Sequence, residues 1–279
     1  METEKSYESF ARVYDELMDN VPYGKWAARI LQLFRKQGIE GGLALELGCG
    51  TGKMLMQLGK AGYDMIGVDS SLDMLQIARE KCPADYLLLL QDTRSFELYG
   101  TVAVTVSVCD SINYIKDPED LREVFCLVNN YLDPGGLFLF DFNTEHKYRD
   151  IIGETVIAED REDVSFIWYN DYDQESHINE ISLRVFVRER EDLFRKFEET
   201  HFQRGYTLVE IKELLREAGM EFVDAWDGYE DRPAGPDSER ILVLAREKGK
   251  KGIGSDDDQT VENLNEMINK PANKKSRLK

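Results

Sequence analysis

The sequence predicts an α/β protein whose doubly wound, mostly parallel seven-stranded sheet has an antiparallel last strand and an inserted small antiparallel β-sheet. Between residues 43 and 142, five short apolar runs alternate with segments of helical periodicity, which is typical of parallel βαβ units. A glycine-rich loop, 48–52, directly follows the first run. Between residues 154 and 204 the helical segments stop, and alternating apolar and polar residues indicate antiparallel strands.

Two amphipathic helices are expected before the sheet. Residues 6–19 and 23–37 carry apolar side chains at helical spacing, and Gly38 follows the second segment as a stop signal. In the alternating part, residues 133–136 (Asp-Pro-Gly-Gly) predict a turn before the fifth strand. The predicted strands are 43–47, 63–68, 86–90, 102–108 and 137–142, and the predicted helices are 53–61, 71–81 and 121–131, with Ser70 or Ser71 capping the second.

The second half of the chain is expected to complete the sheet and to add the insertion. We predict three antiparallel strands at 164–172, 178–189 and 193–204, a helix at 208–219, and a last antiparallel pair at 221–226 and 240–245. The resulting organisation has four parts. They are an N-terminal helical lid (1–38), a main domain (39–150 and 205–247), the β insertion (151–204) and a disordered tail (248–279) poor in aliphatic residues.

Composition limits the classes of function. The chain has 35 Lys and Arg against 54 Asp and Glu, and its net charge of -19 argues against a nucleic-acid partner. No apolar run is long enough for a membrane span, and the polar residues 1–5 do not resemble a secretion signal, so we expect a cytoplasmic protein without a membrane partner. The four cysteines and three histidines are scattered, so we expect neither a disulfide framework nor a metal site.

The loop at 48–52 is the strongest functional signal in the sequence. Glycines allow a sharp turn and let a ligand approach the main chain. The loop lacks the Gly-Lys-Ser/Thr of a phosphate loop, and Lys53 replaces the third glycine of a dinucleotide fingerprint, which argues against an NAD-dependent reductase. Glu46, two residues before the first glycine, is expected to face the ligand, where an acid repels pyrophosphate and attracts an ammonium group.

Three acids follow three successive predicted strands. Glu46, Asp69 and Asp92 should therefore meet at the carboxyl edge of the sheet, where ligands bind in open parallel sheets. Asp69 comes about 20 residues after the glycine loop, a position from which a carboxylate accepts hydrogen bonds from both hydroxyls of a ribose. Asp92 either accepts a hydrogen bond from an adenine amine or only caps the end of its strand.

With these residues, the chain resembles the class I S-adenosylmethionine-dependent methyltransferases, which have a Rossmann-like fold. The resemblance covers about residues 6–247, and the residues at 7–15 and 23–26 are similar to a bacterial subgroup that resembles glycine and amino-sugar N-methyltransferases. It implies S-adenosyl-L-methionine as cofactor and S-adenosyl-L-homocysteine as product. The matching segments, in the family's order and spacing, are 45–52, 67–71, 91–92 and 132–137.

The resemblance also implies roles for single residues. The backbone around Gly48 and Gly50 would face the methionine portion of the cofactor, and Asp69 would hold the ribose. Ser70 or Met74 would border the adenine. Tyr14, with Tyr7 and Phe10, would lie on a helix over the cofactor. The complete set of expected cofactor contacts is Tyr14, Glu46, Gly48, Cys49, Gly50, Asp69, Ser70, Met74, Asp92, Thr93 and Cys109.

Residues 110–114 are the expected acceptor side. Methyl transfer from a sulfonium is an in-line displacement, so the protein must align the acceptor and exclude water, and it needs a base only where the acceptor keeps a proton. Asp110 is the candidate that orients an amine or takes a proton, and Tyr14 is the second candidate catalytic residue. We interpret Asn113 as the cap of the next helix, whereas Tyr114 either lines the pocket or packs beneath it.

The insertion is expected to form a roof over the acceptor pocket. It has 14 Asp and Glu against seven Arg and Lys between Glu154 and Arg204, which either favours an amine substrate or marks a solvated face. Arg184, Arg188 and Arg204 are alternative ligands for a carboxylate. Among the histidines, His146 and His201 either reach the site or are exposed, and His177 is expected in a surface hairpin turn.

The leading hypothesis is a methyltransferase, monomeric or homodimeric, that acts on an N or O atom of a small molecule. Enzymes that methylate nucleobase amines usually carry Asn/Asp-Pro-Pro-Tyr/Phe after the fourth strand, and residues 110–114 read Asp-Ser-Ile-Asn-Tyr instead. Methylation of RNA or protein is the second hypothesis. A non-catalytic protein that binds S-adenosylmethionine or another partner is the third.

Overall fold

The computed structural model describes residues 14–249. Tyr7, Phe10 and the predicted tail after residue 249 lie outside the described residues. The described strands are β1 (Gly42–Leu47), β2 (Tyr63–Asp69), β3 (Leu87–Leu90), β4 (Val102–Ser107), β5 (Leu132–Asn143), β6 (Val156–Asp160), β7 (Val164–Asp173), β8 (Ile178–Arg190), β9 (Leu193–Arg204), β10 (Glu221–Asp227) and β11 (Arg240–Arg246). The described α-helices are α1 (Tyr23–Lys36), α2 (Lys53–Lys60), α3 (Leu72–Lys81), α4 (Pro118–Tyr131) and α5 (Leu208–Glu217), and residues 14–17 are also helical. A short 3-10 helix (Ser111–Tyr114) lies in the turn after β4, and a π-helix (Lys147–Ile152) follows β5.

The main sheet has the predicted seven strands, in the order β10-β11-β5-β4-β1-β2-β3. Strands β1 to β5 pair in parallel, and β11 runs antiparallel to both β5 and β10. The carboxyl ends of β1, β2 and β4 lie side by side, because β1 pairs with both of the others. The predicted fold class is confirmed, and this edge of the sheet is where the predicted site residues come together.

Apolar side chains cover both faces of the main sheet. One buried cluster joins the sheet to α4 and α5 through residues such as Phe125 and Leu215, and the other joins it to α1, α2 and α3 through residues such as Phe34 and Leu55. Removing this much apolar surface from water is the main force that holds the layers together. The glycine loop and the turn after β4 therefore project from a rigid, packed base.

Side-chain caps start several helices where the sequence indicates. Ser71, not Ser70, caps α3, and its hydroxyl accepts a hydrogen bond from Met74 N at 3.3 Å. Asp117 caps α4, accepting from Glu119 N at 2.9 Å, with proline at the first helical position. The interpretation of Asn113 as the cap of this helix was therefore wrong, because Asp117 holds that position.

The predicted turn at 133–136 lies within the bounds of β5. The pairing of β4 with β5 jumps from Val102–Leu132 to Val104–Leu137, so that residues 133–136 protrude from the ladder as an irregularity. Gly135 has a φ of +77°, which fits the turn chemistry of the sequence. The turn residues were recognised correctly, and the pairing resumes at Leu137 as predicted, but β5 begins earlier, at Leu132.

The insertion contains four described strands, in the order β6-β7-β8-β9, where three were predicted. The missed strand, β6, is short and flanked by acidic residues, so its alternation is weak. An apolar cluster on the sheet includes Ile181, Val185 and Phe197, and Leu17 of the N-terminal segment packs against it. None of the helices described between residues 14 and 249 is long and apolar enough to cross a membrane.

Candidate active site

The glycine loop leaves one of its backbone positions open to a ligand. Gly48 and Gly50 both have positive φ, +71° and +52°, a conformation that L side chains rarely adopt. A Cβ at Gly48 would lie 2.5 Å from Ser111 Oγ, so glycine is required there by the fold. A Cβ at Gly50 would meet no atom of residues 14–249 within 4 Å. The part of the chain that the structure describes therefore does not fill the space beside Gly50, and this space suits the close approach of a ligand.

Asp69, at the end of β2, ties the glycine loop to the neighbouring strand. Its Oδ2 accepts from Gly50 N and its Oδ1 from Ser71 N, both at 2.8 Å. Burial raises the pKa of Asp69, and the N–H groups of Ser71 and Gly50 oppose this effect because they stabilise the carboxylate. The structure thus brings Asp69 to the open side of the loop, and its contact with a ribose stays a prediction.

Glu46 has a buried carboxyl oxygen that the described residues leave without a partner. The side chain is 2% exposed, accepts a hydrogen bond from the backbone N–H of Leu55, and has no partner for Oε2 in the described part of the chain. Burial, and then the charge of Asp69, raises the pKa of Glu46 well above its ordinary value. An orphaned oxygen beneath the open loop fits a bound group that donates hydrogen bonds.

The residues expected around an adenine lie beside the ends of β2 and β3. Ser70 is exposed and Met74 is partly buried near the start of α3. Asp92 is engaged by Arg94, whose Nη2 donates to Oδ2 at 2.6 Å and whose backbone N donates to Oδ1 at 2.8 Å. Thr93 lies between Asp92 and Arg94 in the same turn. A hydrogen bond from an adenine to Asp92 therefore has to share this carboxylate with Arg94.

Asp15 fastens the N-terminal segment to the glycine loop, and we call its contacts the Asp15 clasp. Thr51 Oγ1 donates to Asp15 Oδ1 at 2.6 Å, Lys53 Nζ donates to the Asp15 carbonyl at 2.9 Å, and Lys81 forms an ion pair with the carboxylate. Burial raises the pKa of Asp15, but hydrogen bonds from Lys81 and Thr51 and the charge of Lys53 outweigh it and lower the pKa. The sequence analysis missed this residue, since helical spacing does not distinguish a clasp from a solvated acid.

Tyr14 lies with the residues of the turn that follows β4. Burial, then the charges of Cys109, Asp110 and Tyr114, raises the pKa of the Tyr14 hydroxyl well above its ordinary value. The phenol therefore stays protonated at neutral pH and can donate a hydrogen bond. The two candidate catalytic residues, Tyr14 and Asp110, are thus neighbours in space.

The turn after β4 has a strained backbone that a buried acid stabilises. Cys109 and Asp110 both have positive φ, +58° and +53°, which is uncommon for residues other than glycine. Their N–H groups donate to the carboxylate of Asp141, at 3.2 and 2.8 Å, and Tyr229 OH donates to the same carboxylate at 2.6 Å. Asp141 is 0% exposed. The sequence analysis missed Asp141, which lies on a strand of otherwise apolar residues.

Arg240, on β11, bridges Asp110 and Asp141. Its Nη2 donates to Asp110 Oδ1 and its Nη1 to Asp141 Oδ1, both at 2.8 Å. Gln203 Nε2 donates to Asp110 Oδ2 at 2.8 Å, so that both oxygens of Asp110 accept a hydrogen bond. The Asp110 carboxylate is therefore held in a fixed orientation. This geometry favours the orienting role of Asp110 over the proton-taking role.

Aromatic side chains of α1 pack beside this network. Trp26 stacks on Tyr229 with ring centroids 4.2 Å apart and an interplanar angle of 4°. The guanidinium carbon of Arg240 lies 5.6 Å from the Trp26 ring centroid, and Cys109 Sγ donates to Tyr23 OH at 3.4 Å. Helix α1 thus supports the bridge made by Arg240 as well as covering the sheet.

Asn113 joins the turn after β4 to two other strands. Its Nδ2 donates to the carbonyls of Asn143 and Arg204, at 2.8 and 2.7 Å, and its Oδ1 accepts from Asn143 N at 2.8 Å. These three bonds are buried or partly buried, so each one is shielded from competing water. They bring the carboxyl end of β9, and with it the edge of the insertion, next to the expected acceptor side.

Two residues of β9 face Tyr114 across this junction. Tyr114 is 48% exposed, and its hydroxyl lies 3.5 Å from His201 Nδ1. His201 Nε2 lies 3.1 Å from Glu199 Oε2. The structure places His201 against Tyr114, and whether it reaches a bound acceptor stays a prediction. We call Asp110, Tyr114, Glu199, His201 and Gln203 the acceptor cluster.

Other charged residues weighed in the sequence are held elsewhere. Arg184 pairs with Glu198 on β9, and Arg188 donates to the backbone carbonyl of Glu162. Arg204 Nη2 donates to Glu210, and His146 pairs with Asp150 at 2.8 Å. Each of these four side chains therefore has a partner outside the acceptor cluster. The remaining histidine, His177, has a φ of +60° in the hairpin turn before β8.

Known proteins resemble the chain over most of its length. A sequence profile of a methyltransferase domain, Methyltransf_25, matches residues 44–136. The provisionally named methyltransferase YqeM of Bacillus subtilis (strain 168) is 33% identical over 245 residues, which are 86% of this chain and 96% of YqeM. An S-adenosylmethionine-dependent methyltransferase from Clostridium acetobutylicum ATCC 824 is 28% identical, with a TM-score of 0.80, and the match covers 87% of this chain and 99% of that one.

A third relative has a named acceptor. The dTDP-3-amino-3,4,6-trideoxy-alpha-D-glucopyranose N,N-dimethyltransferase of Streptomyces venezuelae is 33% identical over 119 residues. The match covers 43% of this chain and 50% of that enzyme. The similarity therefore extends over half of that enzyme, and its other half is not matched.

Proposed function

This chain belongs to the class I S-adenosylmethionine-dependent methyltransferases, and from that premise we propose that it methylates the amine nitrogen of a small molecule. The observation that carries the proposal is the acceptor cluster, where two carboxylates, Asp110 and Glu199, lie with a tyrosine and a histidine beside the turn after β4. Carboxylates and aromatic faces are the groups that attract an ammonium ion.

The cofactor's binding residues are proposed on the edge formed by β1, β2 and β4. The open backbone at Gly50 and the orphaned oxygen of Glu46 support a place for the methionine portion, with Gly48, Cys49 and Cys109 around it. The partly buried carboxylate of Asp69 suits the ribose hydroxyls. The adenine is proposed to lie beyond it, bordered by Ser70, Met74, Asp92 and Thr93. Tyr14 is proposed at the methionine end, where it neighbours Asp110.

The bound cofactor supplies an electrophilic methyl group, and the residues of this chain supply alignment. Asp110 is fixed by Arg240 and Gln203, so it can orient an amine without moving. The Tyr14 hydroxyl, protonated at neutral pH, can donate a hydrogen bond beside it. The inserted sheet and the N-terminal segment are proposed to exclude water from the acceptor, since Leu17 packs on the cluster of the inserted sheet.

Amino sugars are the first amines to consider. The relative from Streptomyces venezuelae is named as an N,N-dimethyltransferase of an amino sugar, and it shares 33% identity over 119 residues with this chain. The net charge of -19 further favours a small cationic acceptor over RNA. A neutral hydroxyl acceptor, unlike an ammonium ion, has no positive charge for the two carboxylates of the acceptor cluster to attract.

A matched panel of acceptors tests the proposal. Purified protein is incubated with S-adenosylmethionine and with amino sugars, simple primary amines and the corresponding hydroxy compounds, and S-adenosylhomocysteine and methylated products are measured by mass spectrometry. Methylation of amines, with the hydroxy analogues unchanged, is expected. Methylation of a hydroxy compound but of no amine would contradict the proposal. Calorimetric titration with S-adenosylhomocysteine beforehand ensures that the protein tested binds the cofactor product.

A further inference from the structure

Three side chains of the acceptor cluster, to which the proposed function gives only the attraction of an ammonium ion, also form a hydrogen-bonded row. Glu199 and His201 are two residues apart on β9, so they project from the same face of the inserted sheet. His201 Nε2 lies 3.1 Å from Glu199 Oε2, and His201 Nδ1 lies 3.5 Å from the hydroxyl of Tyr114. The rings of Tyr114 and His201 meet edge to face, with centroids 5.9 Å apart.

The position of Glu199 determines which nitrogen of His201 carries the hydrogen. The Glu199 side chain is 9% exposed, and a carboxylate so removed from water requires a hydrogen-bond donor. His201 Nε2 is at hydrogen-bond distance, so its hydrogen is directed at Glu199. A neutral imidazole then has its lone pair on Nδ1, on the side of Tyr114. His201 Nδ1 is therefore the atom of this row that can accept a proton, and it lies on the side of Tyr114.

The described neighbours of His201 are acidic or neutral side chains. Glu199 and Gln203 flank it on β9, and Tyr114 faces it from the turn after β4. On the adjacent strand β8 its partner is Ile181, which is apolar and 4% exposed. Asp110 lies near Tyr114, and both of its oxygens accept from Arg240 and Gln203. Both oxygens of Asp110 are thus already engaged in hydrogen bonds. His201 Nδ1, in contrast, faces the hydroxyl of Tyr114.

An amine acceptor needs such a proton acceptor. An aliphatic amine has a pKa near that of lysine, about 10.4, so at neutral pH it is an ammonium ion without a lone pair. A proton must leave before the nitrogen can bond to the methyl carbon. Proton removal by a positioned histidine contributes roughly 100-fold or more to such rates.

We propose that His201, oriented by Glu199, is the general base that deprotonates the amine acceptor, an inference that rests on the proposed function. The ammonium N–H proton passes to His201 Nδ1. The freed electron pair of the nitrogen forms the N–C bond to the methyl group as the C–S bond breaks, and that bond's electron pair stays on sulfur, which becomes a neutral thioether. His201 then releases its proton to water, and Tyr114 borders the path.

Kinetics of His201→Gln on an amine that the wild type methylates test the proposal. We expect kcat to fall about 100-fold at pH 7. The difference should shrink as pH rises towards the pKa of the amine, because the acceptor then loses its proton without help. Glu199→Gln should lower kcat less, about 10-fold, since it leaves His201 in place. His146→Gln is the matched control, because His146 pairs with Asp150 outside the acceptor cluster, and it should leave kcat unchanged.

A structural readout separates a general base from a merely supporting residue. Long-range ¹H–¹⁵N spectra of the wild type, with the His201 signals identified by their loss in His201→Gln, should show hydrogen on Nε2. S-adenosylhomocysteine affinity should be the same in His201→Gln and the wild type. Hydrogen on Nδ1, a wild-type kcat in His201→Gln, or an equal loss at every pH would each overturn the proposal. If the wild type methylates no amine, the proposed function fails, and the role of His201 fails with it.

Discussion

Arg240 Nη2 lies 2.8 Å from Asp110 Oδ1, although 130 residues separate them in the chain. The same guanidinium holds the buried Asp141, whose carboxylate also accepts from the backbone N–H groups of Cys109 and Asp110. The turn after β4 is thus fixed from the last strand of the sheet. Its strained backbone is stabilised by these hydrogen bonds and not by local propensity.

Removing Arg240 should destabilise the whole domain. Arg240→Ala leaves the fully buried Asp141 without its cationic partner, and we expect a loss of about 3 kcal/mol in the free energy of unfolding. Urea denaturation followed by tryptophan fluorescence measures it. Arg94→Ala, which breaks the exposed pair with Asp92, is the control and should cost less than about 1 kcal/mol. Equal losses in the two variants would contradict this prediction.

Replacing Asp69 should weaken cofactor binding strongly. Asp69→Ala removes the carboxylate between Gly50 and Ser71, and we expect the affinity for S-adenosylmethionine to fall about 30-fold. Calorimetric titration with S-adenosylmethionine and S-adenosylhomocysteine measures the change. Asp73→Ala, in the first turn of α3, is the control and should bind as the wild type does. An unchanged affinity in Asp69→Ala removes Asp69 from the ribose site.

The open position at Gly50 gives a steric test. Gly50→Ala places a methyl group where the fold leaves space, so we expect at least a 10-fold loss of cofactor affinity and a stability loss of about 1 kcal/mol. Gly62→Ala is the matched control, since Gly62 also has a positive φ and free space around a Cβ. It should lose similar stability and keep its affinity. Parallel affinity losses would show that backbone strain alone is responsible.

The Asp15 clasp should depend on pH in the acid range. Because the folded-state pKa of Asp15 is lowered, the clasp stabilises the protein above the unfolded-state pKa of about 3.9, and this stability disappears as pH falls through the lower folded value. The wild type should exceed Asp15→Asn by about 1 kcal/mol at pH 7 and by nothing near pH 2. Thermal unfolding across this range measures the difference. A difference independent of pH excludes an ionised clasp.

Glu46 should show the opposite dependence. Its folded-state pKa is raised, so folding favours the protonated acid, and the fold loses stability as pH rises above the unfolded-state pKa of about 4.3. Glu46→Gln has no charge to bury and should gain stability relative to the wild type between pH 5 and pH 8. The melting temperatures of the two proteins, measured without cofactor, report this gain. A wild type that stays the more stable at pH 8 would falsify the interpretation.

The sequence predicted the parts of the molecule that local patterns specify. Alternation of strands and helices predicted the main sheet, and the glycines of the loop at 48–52 predicted a sharp turn, in which the structure gives Gly48, Gly50 and Gly52 a positive φ. Asp69 could be placed beside Gly50 because the ends of parallel neighbours meet at one edge. These features depend on periodicity, on backbone sterics and on the topology of the sheet.

Local sequence patterns could not predict the contacts between segments that are distant in the chain. Arg240, Asp141 and Gln203 look like ordinary strand residues, and nothing in their spacing indicates that they meet at Asp110. Asn113 was assigned to a helix cap because asparagine favours caps, and tertiary hydrogen bonds to Asn143 and Arg204 outweighed that preference. Strand β6 was missed because its alternation is short and acidic.

The bridge from Arg240 to Asp110 also has a consequence for synthesis on the ribosome. The chain emerges amino end first, so the glycine loop, Asp110 and Asp141 are all exposed before β11 has been translated. Until then Asp141 lacks its cation, and the edge of β5 that pairs with β11 is open. A nascent chain stalled before Arg240 would present an unpaired strand and a strained turn, which makes it a target for chaperones and proteases. Addition of β11 therefore covers the edge of β5 and supplies the cation of Asp141 in one step.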